Sequence, residues 1–87
     1  MKVSIIIPAY NEEKFITRTL ESLKKLDKDN LDVEVILADG GSTDKTREIA
    51  LSYGAHVLNL PHIGIGFARQ KGLLSAKGEI VAYTDAD

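Results

Sequence analysis

The last three residues of the sequence, Asp85-Ala86-Asp87, place two carboxylates at i and i+2. Such a pair offers oxygen ligands to a hard divalent cation, Mn2+ or Mg2+. A cation held there bridges a diphosphate and carries part of its charge. The same residues also suit a solvated acidic tail. What favours the metal is the run before them, Ile80-Val81-Ala82-Tyr83-Thr84, a strand pattern that sets both carboxylates just past a strand end.

Three more clusters combine polar groups with turn residues. In Asp39-Gly40-Gly41-Ser42-Thr43-Asp44 the glycines let backbone approach a ligand closely. Asp39 can accept hydrogen bonds from a nucleobase or ribose, and the helix start beyond it offers unpaired N–H groups. Ser42, Thr43 and Asp44 suit a plain strand-to-helix turn with an N-cap; Asp39 and Gly40 are not needed for one. Gly64-Ile65-Gly66-Phe67-Ala68-Arg69-Gln70 is a glycine turn feeding a helix with Arg69 in its first turns, a setting for an anionic ligand. Arg69 alone is equally an ordinary surface charge. Its place where a dinucleotide fingerprint needs a third glycine, outside the first strand–helix unit, argues against a dehydrogenase. In Pro8-Ala9-Tyr10-Asn11-Glu12, Tyr10 can stack on a base and Glu12 can hydrogen-bond a ribose or amide, while Asn11 reads as a helix cap. His56 and His62 have neither metal-ligand spacing nor a nucleophile partner, and read as loop or partly buried residues.

The elements that must position these clusters alternate strand and helix, the pattern of a parallel sheet with helices on its faces. Val3–Ile7 is a continuous, β-branched apolar run, a strand buried on both sides that Pro8 ends. Ile16, Leu20 and Leu23, at i, i+4 and i+7, form one face of a helix opened by Asn11. Asp27 to Asp32 is a polar loop. Val33–Ala38 is the second strand. A helix capped by Ser42 or Thr43 runs to about Tyr53, and Gly54 stands where a C-terminal glycine belongs. Ala55–Leu60 is the third strand. Phe67–Lys77 is a helix whose small residues Ala68, Gly72 and Ala76 allow close packing on a sheet, with Gly78 ending it. Glu79–Thr84 is the fourth strand. The expected fold is α/β: a three-layer α/β/α Rossmann-like open parallel sheet. Three of the clusters follow carboxyl ends of strands, the edge at which such sheets bind ligands.

Size and charge narrow the partners. Eighty-seven residues fit one small domain with a marginal core. The net charge of -2 gives no basic footprint, so no nucleic acid is expected. With no cysteine, disulfide and thiolate chemistry are excluded. No apolar run reaches the length of a bilayer span, and the opening run is shorter than a signal-peptide core. A cytoplasmic location is expected, with the membrane surface open to a longer form of the protein.

Taken together the clusters resemble the amino-terminal part of family 2 glycosyltransferases, through essentially the whole chain. Val3-Ser4-Ile5-Ile6-Ile7-Pro8-Ala9-Tyr10-Asn11-Glu12 looks like that family's first strand and loop. Asp39-Gly40-Gly41-Ser42-Thr43-Asp44-Lys45-Thr46 looks like its second motif. Gly66-Phe67-Ala68-Arg69-Gln70-Lys71-Gly72 is similar to its Gly-x-Ala-Arg-Asn-x-Gly segment, and Gly78 to Asp87 resembles the strand carrying its Asp-x-Asp. The resemblance implies residues 1–87 as a single nucleotide-sugar-binding domain, the first half of a GT-A fold, truncated at its C-terminus. It implies a nucleoside site lined by Pro8, Ala9, Tyr10 and Glu12, with Asp39 on the base or ribose and Arg69 near the nucleotide. Asp85 would contact the ribose or metal, and Asp87 would ligate the metal. Two departures stand out: Gly40 where the family often has a second Asp, and Gln70 where Asn is usual. The implied reaction is transfer of a sugar, with inversion, from a nucleoside diphosphate sugar to the hydroxyl of a saccharide, lipid phosphate or protein acceptor. The family's general base lies downstream of Asp-x-Asp, so no catalytic residue is assigned here and the chain alone is expected to be inactive. A non-catalytic nucleotide-binding or interaction module of the same fold is the alternative. A nucleotidyltransferase fits less well, because Pro8-Ala9-Tyr10-Asn11 lacks a glycine-rich loop. An exposed fourth-strand edge would favour self-association.

Overall fold

The computed structural model describes residues 2–26 and 31–84. They form β1 (Lys2–Ala9), α1 (Glu13–Lys24), β2 (Asp32–Asp39), α2 (Thr46–Ser52), β3 (His56–Asn59), α3 (Ile65–Ser75) and β4 (Ile80–Tyr83). The four strands pair in parallel in the order β3-β2-β1-β4. The expected three-layer α/β/α sheet is therefore the observed one. Most of the loop expected over Asp27–Asp32 lies outside the described residues, and Asp32 itself opens β2 beside Lys2.

The alternation of β1 sorts its two faces. Ile5, Ile7 and Ala9 join Leu37 of β2, Ile16 and Leu20 of α1, and Ala50 of α2 in one buried cluster. Burial of Ile16 and Leu20 contributes about 1.5–3 kcal/mol each, more than an end cap supplies, so α1 is held by its apolar stripe. Ile6 points to the opposite face, where Gly72 of α3 rests on it. A Cβ added at Gly72 would lie 2.4 Å from Ile6 Cγ2, so the small-residue face of α3 is what lets the helix settle onto the sheet.

Several boundaries differ from expectation. Strand β1 runs through Pro8 to Ala9, with Pro8 opposite Ala38. Proline lacks only the N–H on one side of the strand. Ala9 O accepts from Gly40 N on the β2 side, and Ile6 O accepts from Thr84 N on the β4 side. Side alternation puts the missing Pro8 N–H toward β4, beyond the last described β1–β4 pair, Ile6↔Tyr83. Helix α3 begins at Ile65, two residues earlier than expected, after Gly64 with φ 147°. It ends at Ser75 because Ala76 turns extended (ψ 135°) and returns the chain to the sheet. Neither α1 nor α2 is capped as expected: α1 starts at Glu13 and α2 at Thr46, and neither cap residue makes a side-chain cap hydrogen bond. No helix among the described residues is long and apolar enough to cross a membrane.

A polar latch joins the α3–β4 connection to the middle of the sheet. Ser4, fully buried in the central strand, donates to Glu34 Oε2 at 2.5 Å and accepts from Gly78 N at 2.8 Å. Lys77 N donates to the same Glu34 oxygen at 2.9 Å. The approach is close enough that a Cβ at Gly78 would stand 2.7 Å from Ser4 N. The Ser4 hydroxyl, then the Lys77 N–H, hold the Glu34 carboxyl below its ordinary 4.5 against a smaller desolvation penalty, with the Lys2 and Lys77 charges helping. A depressed carboxyl stabilises the fold above its unfolded value and loses that stabilisation as pH falls through its folded value. Thermal melts should therefore show the latch contribution in full above about pH 4.5, and Glu34→Gln should give a shallower loss of melting temperature below it than the parent chain.

Candidate functional site

Because all four strands are parallel, the segments after β1, β2 and β3 emerge on one edge of the sheet, where β4 also ends. There the β1–α1 and β2–α2 loops are tied together side chain to backbone. Asn11, at φ 51°, donates its N–H to Ser42 Oγ (2.8 Å), and its Oδ1 accepts from Thr43 N (2.8 Å). Glu12 N donates to Thr46 Oγ1 (2.9 Å), and Glu13 N to Asp44 Oδ2 (3.2 Å). The first amides of α1 are thus capped by residues of the neighbouring loop, and Asn11 acts as a strut between loops in place of its expected local cap. Asp44 also accepts from Thr46 N at 2.9 Å, opening α2. Partial desolvation pushes the Asp44 carboxyl up, but the Thr46 hydroxyl, the Thr46 and Glu13 amides and its own N–H together hold it below its ordinary 3.8.

At the centre of this mesh is Asp39, with no exposed surface. Its Oδ2 accepts from Ser42 N (2.8 Å) and Gly41 N (3.2 Å), and its Oδ1 from Ser42 Oγ (2.5 Å). Arg47 Nε lies 3.6 Å away, while the rest of that guanidinium donates to Asn59 Oδ1 and Ser42 O, both at 3.0 Å. Asp39 O accepts from Leu60 N at 2.8 Å, which brings the β3–α3 loop to the same rim.

A cleft of ≈190 Å³ opens beside this mesh, lined by Pro8, Ala9, Tyr10, Glu12, Gly40, His62, Gly64, Ile65 and Ala68. Its volume is below the ≈300–1,000 Å³ of pockets that enclose drug-sized ligands, so it suits one portion of a larger molecule. Tyr10, 41% exposed, stacks on His62 with ring centroids 3.9 Å apart and planes inclined by 27°.

Four of the residues singled out in the sequence, Pro8, Ala9, Tyr10 and Glu12, therefore share one wall of a cleft. Asp39 lies behind Gly40, which lines it. Arg69 is outside the lining: its guanidinium sits over the Tyr83 ring, 5.7 Å from the centroid, facing the end of β4. Asp85 and Asp87 lie outside the described residues, and among the described residues no three His, Cys, Asp or Glu side chains could hold a metal together. The donor chemistry of the pair still fits a hard cation, and Thr84, the residue before them, is bonded to Ile6, two positions from the cleft wall at Pro8. Sequence reasoning missed His62 and Arg47. No local signal marks either: the partners of His62 lie far away in sequence, and Arg47 gains its place only from the burial of Asp39 in the folded chain.

Comparison with known proteins follows from this geometry. The chain belongs to glycosyl transferase family 2, whose model matches residues 4–87. It is 40% identical over 94 residues to the poly(ribitol-phosphate) β-N-acetylglucosaminyltransferase TarS of Staphylococcus aureus, covering all of this chain and 16% of that protein. It is 37% identical over 97 residues to a dolichyl-phosphate β-glucosyltransferase of Trichomonas vaginalis, covering 98% of this chain and 30% of that one. Among solved structures, glucosyl-3-phosphoglycerate synthase of Mycobacterium tuberculosis, in complex with Mn2+, UDP and glucosyl-3-phosphoglycerate, superposes with a TM-score of 0.84 at 35% identity, over 99% of this chain and 33% of that one. A crystal structure of TarS residues 1–349 gives 0.85 at 39% identity, over 100% and 28%. The fold is that of GT-A glycosyltransferases, and the chain spans a third or less of the length of these relatives.

The buried carboxylate gives a direct test of this construction. Asp39→Ala leaves two amides and a hydroxyl without their acceptor and Arg47 without its counter-charge. Urea denaturation should show a loss of about 1–3 kcal/mol, the range for leaving buried donors without their acceptor, with little added by Arg47, whose side chain is 41% exposed. Asp39→Asn, which keeps an acceptor, should lose less.

Proposed function

We propose that the chain is the donor-binding half of a glycosyltransferase, taking a nucleoside diphosphate sugar for transfer of the sugar to an acceptor hydroxyl with inversion. The observation that carries this is the cleft at the carboxyl edge of β1 and β2, walled by Pro8, Ala9, Tyr10 and Glu12, in a family 2 chain. The nucleoside end of the donor occupies the cleft, whose volume matches a part of the donor, and the diphosphate and sugar extend toward the end of β4. Tyr10 stacks on the base, and Glu12 takes a ribose hydroxyl.

Asp39 acts on the base or ribose mainly through the loop it shapes. Its carboxylate is engaged by Ser42 and Gly41, so a direct contact requires the Ser42 hydroxyl to yield. Arg69, beside Tyr83, lies on the side of the diphosphate. Asp85 and Asp87 would hold a divalent cation, Mn2+ or Mg2+, which would neutralise charge on the diphosphate, and Asp85 would also contact the ribose.

In the transfer itself a base takes the proton of the acceptor hydroxyl, the hydroxyl oxygen forms the new bond to the anomeric carbon, and the bond to the diphosphate breaks with both electrons leaving on its oxygen. No residue of this chain is assigned as that base. UDP is the first nucleotide to try, since the mycobacterial relative was solved with UDP and Mn2+. The outer edge of β4, with Ile80 and Tyr83 nearly half exposed, is proposed as a self-association edge; sedimentation at high concentration should show a dimer, and a purely monomeric profile would refute it.

The donor site is tested by calorimetry with UDP-, GDP- and dTDP-sugars, with and without Mn2+. At least one should bind, more tightly with Mn2+, and Asp87→Ala should abolish the metal's effect. Absence of binding by all three, or an Mn2+ effect that survives Asp87→Ala, would overturn the assignment. Binding without transfer by the longest form of the protein would instead mark a non-catalytic module.

A further inference from the structure

We infer that His62 is the residue that sets nucleobase preference, its imidazole standing against Tyr10 in the cleft that takes the base. The inference rests on the donor-site assignment above and goes beyond it by naming a residue that no motif marks.

Three observations converge. First, both rings line the cleft and are already stacked at 3.9 Å, so the imidazole is in place before any ligand arrives. Second, His62 is seated by the floor of the cleft. A Cβ built on Gly40 would come to 3.4 Å from His62 Nδ1 and 3.8 Å from His62 Cα. Those are ordinary van der Waals contacts, so the ring packs over position 40, and a longer side chain there directed at the ring would compete for its space. Third, the loop carrying His62 is anchored at its start by Leu60 N to Asp39 O at 2.8 Å, and Ile63 N to Pro61 O at 3.0 Å closes a tight turn around His62. The buried Asp39 loop thereby positions the ring.

The chemistry of the position follows. A neutral imidazole carries one donor and one acceptor nitrogen, so it can read the polar edge of a base. Gly40 offers no side chain for that task, and among the residues lining the cleft only Tyr10, Glu12 and His62 have polar side-chain atoms. Tyr10 stacks through its ring, and Glu12, with its backbone held at the start of α1 by Thr46, is assigned to the ribose. The edge of the base is left to His62.

The test compares UDP, GDP and ADP binding, each with Mn2+, by calorimetry on the full chain and its variants. His62 is exposed, so its replacement should leave the fold intact, as thermal melts will verify. His62→Ala should weaken the preferred nucleotide about tenfold, the scale of one lost hydrogen bond. His62→Phe keeps a ring but removes both nitrogens; it should weaken the preferred nucleotide to a similar extent while narrowing the difference between nucleotides. Gly40→Asp should weaken binding in the parent and have a smaller effect in the His62→Ala background, a coupling that a role in folding alone would not produce. Unchanged or tighter binding in His62→Ala, or undiminished discrimination in His62→Phe, overturns the inference while leaving the donor site standing. Failure of the unsubstituted chain to bind any of the three overturns both.

Discussion

A carboxylate with no exposed surface, at the end of a strand and facing three donors of the following turn, is the constraint on which the ligand edge of this protein depends. Asp39 holds Gly41 and Ser42. Ser42 in turn receives the N–H of Asn11, and the backbone of Asp39 receives Leu60. Three loops from three strand–helix units are thereby locked to one side chain and its neighbours. In a chain of this size the apolar core cannot by itself fix loop geometry to the precision a ligand requires. Short hydrogen bonds in a buried setting, where their geometry is strict and their loss costly, do so instead.

The arrangement also changes how the two helices are begun. Isolated helices need a cap from the residue just before them. Here the amides at the start of α1 find Thr46 and Asp44 across the gap, and Asp44 serves both helices at once. Helix α1 is thus not an independent unit, and its first turn forms when the second loop is in place. The cleft wall at Tyr10 and Glu12 inherits that dependence, so a change at position 42, 44 or 46 reaches the ligand edge without touching a ligand.

Much of this was legible in the sequence, for physical reasons that differ by element. Strands buried on both faces must be apolar throughout, so Val3–Ile7 and Val33–Ala38 announce themselves, and their alternation with amphipathic helices fixes a parallel sheet and its ligand edge. The small face of α3 was legible because only a residue without a side chain permits the approach that Gly72 makes to Ile6. Local rules failed where the partner of a group is distant in the chain. Asn11 has the type of a cap but bonds to the other loop, Pro8 has the type of a terminator but sits where its missing N–H is not called for, and His62 gains its place only from Tyr10 and Gly40. Asp39 was singled out as a ligand group that a plain turn does not need; in the folded chain it organises that turn through Gly41 and Ser42, and the burial behind this role is a property of the folded chain alone.

The latch between Ser4 and Gly78 spans 74 positions of sequence, and it sits on the central strand. During synthesis β1 and β2 emerge early, while the second edge of β1 waits for β4 to leave the ribosome. Until then the most apolar segment of the protein presents an unpaired edge, and closure of so long a loop is slow compared with the local helices. The order in which the chain is made therefore leaves a window in which chaperones, or a second nascent chain, can reach β1 before its own partner does.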